Sequence, residues 1–147
     1  MTAPDIIIRP LSLSDRPAWQ GLWQGYLDFY GTTLGPGQTV LTWQRLHDPL
    51  EPLHGLGAEV DGRLAGFALW LVHRSTWALH GYAYLEDLFV AADLRGRGAG
   101  RALVEAVCAE ADRLGLERVY WVTEADNPAR TLYDQVARLT GFVQYRR

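Results

Sequence analysis

Trp19, Leu22, Trp23, Tyr26, Leu27 and Tyr30 recur at helical spacing and predict a helix with one broad apolar face. Its start lies in Ser14-Asp15-Arg16-Pro17, where Ser14 is the capping candidate and Pro17 suits the first turn. Gly31 to Gly37 breaks the pattern. Thr39 to His47 then predicts a second, shorter helix with Val40, Trp43 and Leu46 inward, stopped by Pro49 and Pro52. The middle of the chain changes to the pattern of strands. Gly57 to Val60 and Leu64 to His73 flank Asp61-Gly62, a strong hairpin signal. Leu64 to Val72 is almost entirely apolar, as a central strand buried on both faces would be. Ile6 to Arg9 supplies a first strand and Tyr82 to Val90 a further one. Beyond them the pattern gives a long helix from Ala99 to Leu114, a strand from Arg118 to Thr123 and a helix from Pro128 to about Val136. Phe142 to Tyr145 is expected to close the chain as a strand.

The order is β-α-α-β-β-β-α-β-α-β. It fits an α/β (α+β) chain with a mixed, mostly antiparallel sheet flanked by helices, turning parallel at the long helix. No linker, repeat or low-complexity tract interrupts residues 1–147, so one domain is expected. Composition adds exclusions. A net charge of −3 argues against nucleic acid as a partner, which would call for a basic stripe. A single cysteine, Cys108, permits no internal disulfide and points to a reducing cytoplasm. Met1 to Arg9 lacks the pattern of a leader, and no apolar run reaches membrane-spanning length. His47, His54, His73 and His80 have no metal-ligand spacing, and no metal is expected.

The densest signal is Arg95-Gly96-Arg97-Gly98-Ala99-Gly100, placed between the apolar strand Leu88-Phe89-Val90 and a helix start. Glycines let the backbone approach an anion, and free amides at a helix N-terminus point at it. Three arginines (Arg95, Arg97, Arg101) in this place oppose the helix dipole unless an anion is near. The loop is not a Walker loop, which needs a Lys before Ser or Thr, nor the dinucleotide fingerprint, which would put glycine at Arg101.

The run Arg-x-x-Gly-x-Gly resembles the pyrophosphate loop of the Gcn5-related N-acetyltransferases. The resemblance covers nearly the whole chain and is strongest from Trp77 to Arg147. Trp77 and Tyr84 to Val90 are similar to the diamine and polyamine acetyltransferases. Val119-Tyr120-Trp121-Val122-Thr123, Ala129-Arg130-Thr131-Leu132-Tyr133 and Phe142 to Arg146 are similar to a fungal branch acting on histone tails, polyamines and D-amino acids. It implies acetyl-coenzyme A as co-substrate, a strand that bulges and splays at Leu88, Phe89 and Val90, and a pyrophosphate grip by Arg95, Gly96, Arg97, Gly98, Ala99, Gly100 and Arg101. Asn127 is expected at the pantetheine arm, although the family's Asn stands one residue earlier, where this chain has Asp126.

Acetyl transfer to an amine requires removal of a proton from an ammonium of pKa about 10.4, donors for a developing oxyanion, and relief of a leaving thiolate. Glu86 and Asp87 are the base candidates, set in an otherwise apolar and aromatic strand. Adjacent residues of a regular strand point to opposite faces, so only one should face the cleft. The resemblance assigns proton removal to Glu86 and leaves Asp87 to hold the amine, with the exchange of roles open. Tyr133 is the acid candidate, a phenol of pKa about 10 beside a thiolate whose conjugate acid lies near 8.5. Tyr26, Tyr30 and Trp43 are candidates for the wall of an acceptor pocket or for core.

These residues together predict an acetyl-coenzyme A-dependent N-acetyltransferase acting directly on a small primary amine. A peptide lysine acceptor and a non-catalytic acyl-coenzyme A binding module are the alternatives. Family resemblance adds an expected homodimer, joined through the C-terminal strand. Neither nucleic acid nor membrane is expected as a partner.

Overall fold

A computed structural model describes residues 5–147. The expectation of no leader in Met1 to Arg9 therefore rests partly on residues outside the described ones. β1 (Ile6–Pro10) leads through a single 3₁₀ turn into α1 (Arg16–Phe29), followed by α2 (Pro36–Leu46). β2 (Leu53–Val60), β3 (Arg63–His73) and β4 (Tyr82–Val90) form a meander. α3 (Ala99–Arg113), β5 (Arg118–Tyr120) and α4 (Arg130–Val136) complete the fold. The sheet order is β1-β2-β3-β4-β5, antiparallel up to β4 and parallel between β4 and β5.

Each face of the sheet carries its own core. On one face Ala58, Val60, Ala65, Trp70, Ala83 and Leu85 pack against Leu103, Val104 and Val107 of α3. On the other, Leu64, Phe67 and Leu69 meet Trp19, Trp23 and Leu27 of α1 and Trp43 of α2. This explains the unbroken apolar run of β3, which is buried from both sides. Trp19, 1% exposed, is the centre of the second core: its ring lies 5.3 Å from Trp23, 4.9 Å from Trp43 and 6.2 Å from Phe67. Trp43 is thus a core residue. Between β2 and β3, Asp61 takes a left-handed backbone (φ 52°), as the expected Asp-Gly turn requires.

Several boundaries differ from the sequence expectation. Ser14 does not cap α1: Asp15 holds the N-cap position, its carboxylate accepting from the Ser12 backbone N–H at 2.7 Å. The same carboxylate takes the Arg9 guanidinium at 2.6 Å, and Arg9 also reaches Glu59 at 2.7 Å, which fastens the start of α1 to the sheet. The Arg9 guanidinium holds the Asp15 carboxyl down to about 2. α2 begins three residues earlier than the pattern suggested, because Pro36 occupies the first helical position, where its missing N–H costs nothing. The expected closing strand at Phe142–Tyr145 is absent. Residues 137–147 form no regular element, and Phe142 and Tyr145 are 89% and 94% exposed. β5 pairs over only three residues, too short a ladder to template another strand within one chain.

Candidate active site

The site is built on an irregularity of β4. Asp87 lies opposite Leu69 and Leu85 opposite Trp70, so Glu86 is inserted with no partner on β3. This is a β-bulge, and it changes which faces the side chains take. Before it, Ala83 and Leu85 join the α3 core; after it, Leu88 and Val90 do so, while Phe89 joins the α1 core. The odd and even positions exchange faces across Glu86. The strict alternation expected from sequence fails here, and both Glu86 and Asp87 come to the α1 side. The two carboxylates differ in setting: Glu86 is exposed, whereas Asp87 is mostly withdrawn from solvent. Burial pushes the Asp87 carboxyl up to about 7; the nearby Tyr26 hydroxyl pulls it down, and the Glu86 charge adds a smaller upward push.

The second irregularity is a splay. β4 pairs with β5 only from Tyr82 to Tyr84, so the edge of β4 from Leu85 to Val90 that faces β5 has no strand partner. A narrow cavity of about 20 Å³ opens there, lined by Glu86 and Leu88 of β4, Tyr26 and Tyr30 of α1, Trp121 and Thr123 after β5, and Tyr133 of α4. Glu86 and Tyr133, far apart in sequence, therefore share one cavity. The Tyr133 ring is held edge-on against Trp121 at 5.5 Å. Burial, with a smaller push from Tyr30, raises its hydroxyl to about 12. Trp121 and Thr123 were expected only as strand residues; their role as wall follows from β5 ending at Tyr120, which no sequence pattern marks.

Asn127 ties together two residues that line this cavity. Its Nδ2 donates to Thr123 Oγ1 at 2.9 Å and to the Tyr30 hydroxyl at 3.3 Å, and its Oδ1 accepts from the Ala129 N–H at 2.9 Å. Both amide hydrogens and the side-chain oxygen are thus engaged within the protein.

The glycine-rich loop lies between β4 and α3. Gly96 and Gly98 hold φ of 78° and 92°, and a Cβ on Gly96 would meet nothing within 4 Å. Ala102 N–H is bonded to the Gly98 carbonyl. The backbone N–H groups of residues 95–101 have no acceptor among the described residues, a run of open donors at a helix N-terminus. This donor set fits a pyrophosphate. The arginines are partly committed elsewhere: Arg95 Nε donates to the Val90 carbonyl at 2.9 Å, Arg97 lies 3.5 Å from Asp61, and Arg101 contacts Gln135 and Glu105. The backbone amides are the larger resource at this loop. Among the described residues, no three His, Cys, Asp or Glu side chains are grouped so as to hold a metal.

The site thus combines a sheet that splays beside a bulged strand with a loop of open amides at the end of that strand. The chain belongs to the acetyltransferase (GNAT) family, whose family model matches residues 19–137. It is 37% identical over 145 residues to the D-amino-acid N-acetyltransferase HPA3 of Saccharomyces cerevisiae, a match spanning 97% of this chain and 90% of that protein. Its fold is similar to the ribosomal-protein-alanine N-acetyltransferase of Brucella melitensis biovar Abortus 2308, with TM-score 0.82, 22% identity, and 96% and 97% of the two chains covered. It is equally similar to AAC(6')-Iy in complex with a bisubstrate analogue, CoA-S-monomethyl-acetylneamine, with TM-score 0.80, 20% identity and 97% of each chain covered. The chain is an acetyltransferase.

Proposed function

We propose that residues 1–147 act as one unit that transfers acetyl from acetyl-coenzyme A directly to the primary amine of a small molecule, of the diamine, polyamine or amino-acid type. The observation that carries this reading is the shared cavity: Glu86, Tyr26, Tyr30 and Tyr133 surround it beside the unpaired edge of β4. The relative named for D-amino acids supports an amino-acid-like acceptor.

In this reading the amides of Arg95 to Arg101 bind the diphosphate. Backbone groups of Leu88, Phe89 and Val90 hold the pantetheine and the acetyl carbonyl along the open edge, with their side chains kept for the two cores. Asn127 serves by bracing the cavity wall, since its amide hydrogens rest on Thr123 and Tyr30. Glu86 and Asp87 draw the ammonium in by Coulomb attraction, and one of them removes its proton. The nitrogen lone pair then attacks the acetyl carbon, the C–S bond breaks and sulfur leaves as thiolate, while the second proton lost by nitrogen passes to solvent and leaves a neutral amide. A Tyr133 hydroxyl near 12 does not surrender its proton to a thiolate whose conjugate acid has a pKa near 8.5; it donates a hydrogen bond that stabilises the departing sulfur.

The cytoplasm and a homodimer complete the reading. A lone Cys108 suits a reducing compartment. Leu139, Phe142, Val143 and Tyr145 stand exposed on the C-terminal arm, and the edge of β5 is unpaired, a surface that a second copy would cover.

Thiol release with acetyl-coenzyme A across a panel of diamines, D- and L-amino acids and lysine peptides tests the function. Release with a small amine, lost in a Glu86→Gln, Asp87→Asn double variant, is the expected result. Release with peptides alone would replace the acceptor class, and tight coenzyme binding without release on any amine would make the chain a binding module.

A further inference from the structure

The cleft begins where β5 leaves β4. Tyr84 and Tyr120 are the last paired residues of the two strands, and the next on each side, Leu85 and Trp121, already line the cavity. The ladder spans only three residues, and side chains reinforce it. Ala83 and Leu85 point into the α3 core, so Tyr82 and Tyr84 take the other face of the sheet. There the Tyr120 ring stacks on Tyr84 at 5.0 Å, and the Arg118 guanidinium lies 4.4 Å over the Tyr82 ring. A further tie comes from β3, across the intervening β4: His73 Nε2 lies 2.6 Å from the Tyr120 hydroxyl. His73 Nδ1 lies 2.7 Å from the Arg74 carbonyl, which can only accept. In the neutral ring Nδ1 therefore carries the proton, and Nε2 accepts from the Tyr120 hydroxyl. We propose that His73 is a positioning residue for the transfer: by holding Tyr120 it fixes where β5 parts from β4, and so sets the width of the cleft that receives the acyl group.

This rests on the transfer reaction above and adds a residue that acts on it through a strand. Neither His73 nor Tyr120 is among the residues lining the cavity; Trp121 and Thr123, which follow Tyr120 directly, are. β5 is the edge strand of the sheet, so no further strand holds it from outside. On the α3 side Val119 packs against the core. On the opposite side the aromatic contacts of Tyr120 and its bond to His73 hold the end of the strand. Without that bond the end of β5 is free to move from β4, and it carries Trp121 and Thr123 with it. The wall then stands at another distance from the open edge of β4, where the acyl group lies in the proposed reaction. A misplacement of about 1 Å costs on the order of 10²-fold in rate. It also changes what fits. One methylene in a fitted apolar site is worth roughly 10- to 200-fold in discrimination, so acyl-chain selectivity reports the width of the cleft.

The ratio of kcat/KM for acetyl- over propionyl-coenzyme A, with the best acceptor amine, tests this on the full-length chain. Tyr120→Phe keeps the ring and its stack on Tyr84 and removes only the hydroxyl. His73→Leu removes the acceptor, and His73→Gln keeps a side-chain oxygen in its place. In Tyr120→Phe and His73→Leu the rate with acetyl-coenzyme A is expected to fall about tenfold or more. The ratio is expected to fall at least about threefold, as the wider cleft admits the longer chain. The double variant should be no worse than either single one, since both remove the same contact. His73→Gln is expected to bring the ratio back to within about twofold of wild type. A protein that had merely lost stability would lose both rates in equal proportion and keep its ratio. Hydrogen exchange supplies a reading independent of turnover: in His73→Leu the amides of Arg118 to Tyr120 should exchange roughly tenfold faster or more, with those of β1 and β2 unchanged. An unchanged ratio in both Tyr120→Phe and His73→Leu, or unchanged exchange in β5, overturns the role of His73. Absence of thiol release from wild type on every amine overturns the transfer reaction itself.

Discussion

Asn127 and Tyr30 are joined across 97 positions of sequence, the Asn127 amide donating to the Tyr30 hydroxyl at 3.3 Å. The bond ties the C-terminal end of α1 to the loop that precedes α4. With the 2.9 Å bonds to Thr123 and from Ala129, it makes Asn127 the brace for the cavity wall and for the start of the helix that carries Tyr133. Asn127→Ala removes an amide that satisfies three partners, a loss of about 1–3 kcal/mol. For a chain of this size that corresponds to a fall in Tm of roughly 3–10 °C. We expect that fall in calorimetry, and a lower kcat as Tyr133 loses its fixed position. A KM for acetyl-coenzyme A that rises tenfold with Tm unchanged would instead make Asn127 a direct coenzyme ligand.

The loop Gly96–Gly98 tests the diphosphate grip. Gly98 is the N-cap of α3 at φ 92°, a backbone that disfavours β-branched residues strongly. Gly98→Val has room for its side chain, the nearest atom to a Cβ being Ile6 Cδ1 at 3.9 Å. Its effect is therefore conformational: the loop turns away from the left-handed region and takes its open amides with it. Isothermal calorimetry should show acetyl-coenzyme A binding weakened at least tenfold, with circular dichroism close to wild type. Unchanged binding would place the diphosphate elsewhere.

The position of β4 depends on how closely it approaches β3. A Cβ on Gly66 would sit 2.6 Å from the Phe89 carbonyl oxygen, a backbone atom that cannot swing aside. Gly66→Ala forces the strands apart at the place where Leu88 to Val90 are expected to meet the thioester. A raised KM for acetyl-coenzyme A and a lower Tm should appear together. A fully active variant would mean that β4 can shift without harm.

The elements that could be read from sequence are those whose pattern repeats. The helix face of Trp19 to Tyr30, the Asp-Gly turn and the apolar run of β3 each specify their structure locally. The loop before α3 was legible as a loop because Gly96 and Gly98, which take positive φ there, precede a helical pattern. The bulge at Glu86 was not: flanking residues on both faces are apolar, so no change of alternation marks the inserted residue. The end of β5 at Tyr120 was hidden for a related reason, since Trp121 and Val122 are good strand formers that turn from the sheet only because β4 diverges. Phe142 to Tyr145 has a strand's composition without a neighbouring ladder to join.

Tyr133 tests the leaving-group step. Tyr133→Phe preserves the edge-on packing against Trp121 and deletes the donor to sulfur. A hydrogen bond to an anionic atom contributes about 1.5–3 kcal/mol, so kcat should fall by roughly 10- to 150-fold. Acceptor KM should change little, because the bond strengthens only as the C–S bond breaks. The loss should shrink with an acetyl thioester of a more acidic thiol, whose leaving group needs less help. Equal losses on both thioesters would remove Tyr133 from this step.

Asp87 gives the protein's stability a pH dependence of unusual sign for a carboxylate. Its folded pKa stands at about 7 against 3.8 for an unperturbed aspartate, with burial the leading cause. Between those values the folded chain binds more protons at this site than the unfolded chain. Stability therefore falls as pH rises from about 4 to about 7, and the loss is complete above that window. Its full size is on the order of 4 kcal/mol. Asp87→Asn carries no such charge and avoids the loss. At pH 8 the variant should melt several degrees above wild type, and at pH 4 the two should melt together. The more stable variant is expected to be the inactive one, as when a buried charge is kept for its chemistry. A pH-independent difference in Tm would show that Asp87 ionises in the fold as freely as in the unfolded chain, and its place as a base poised near neutrality would be lost.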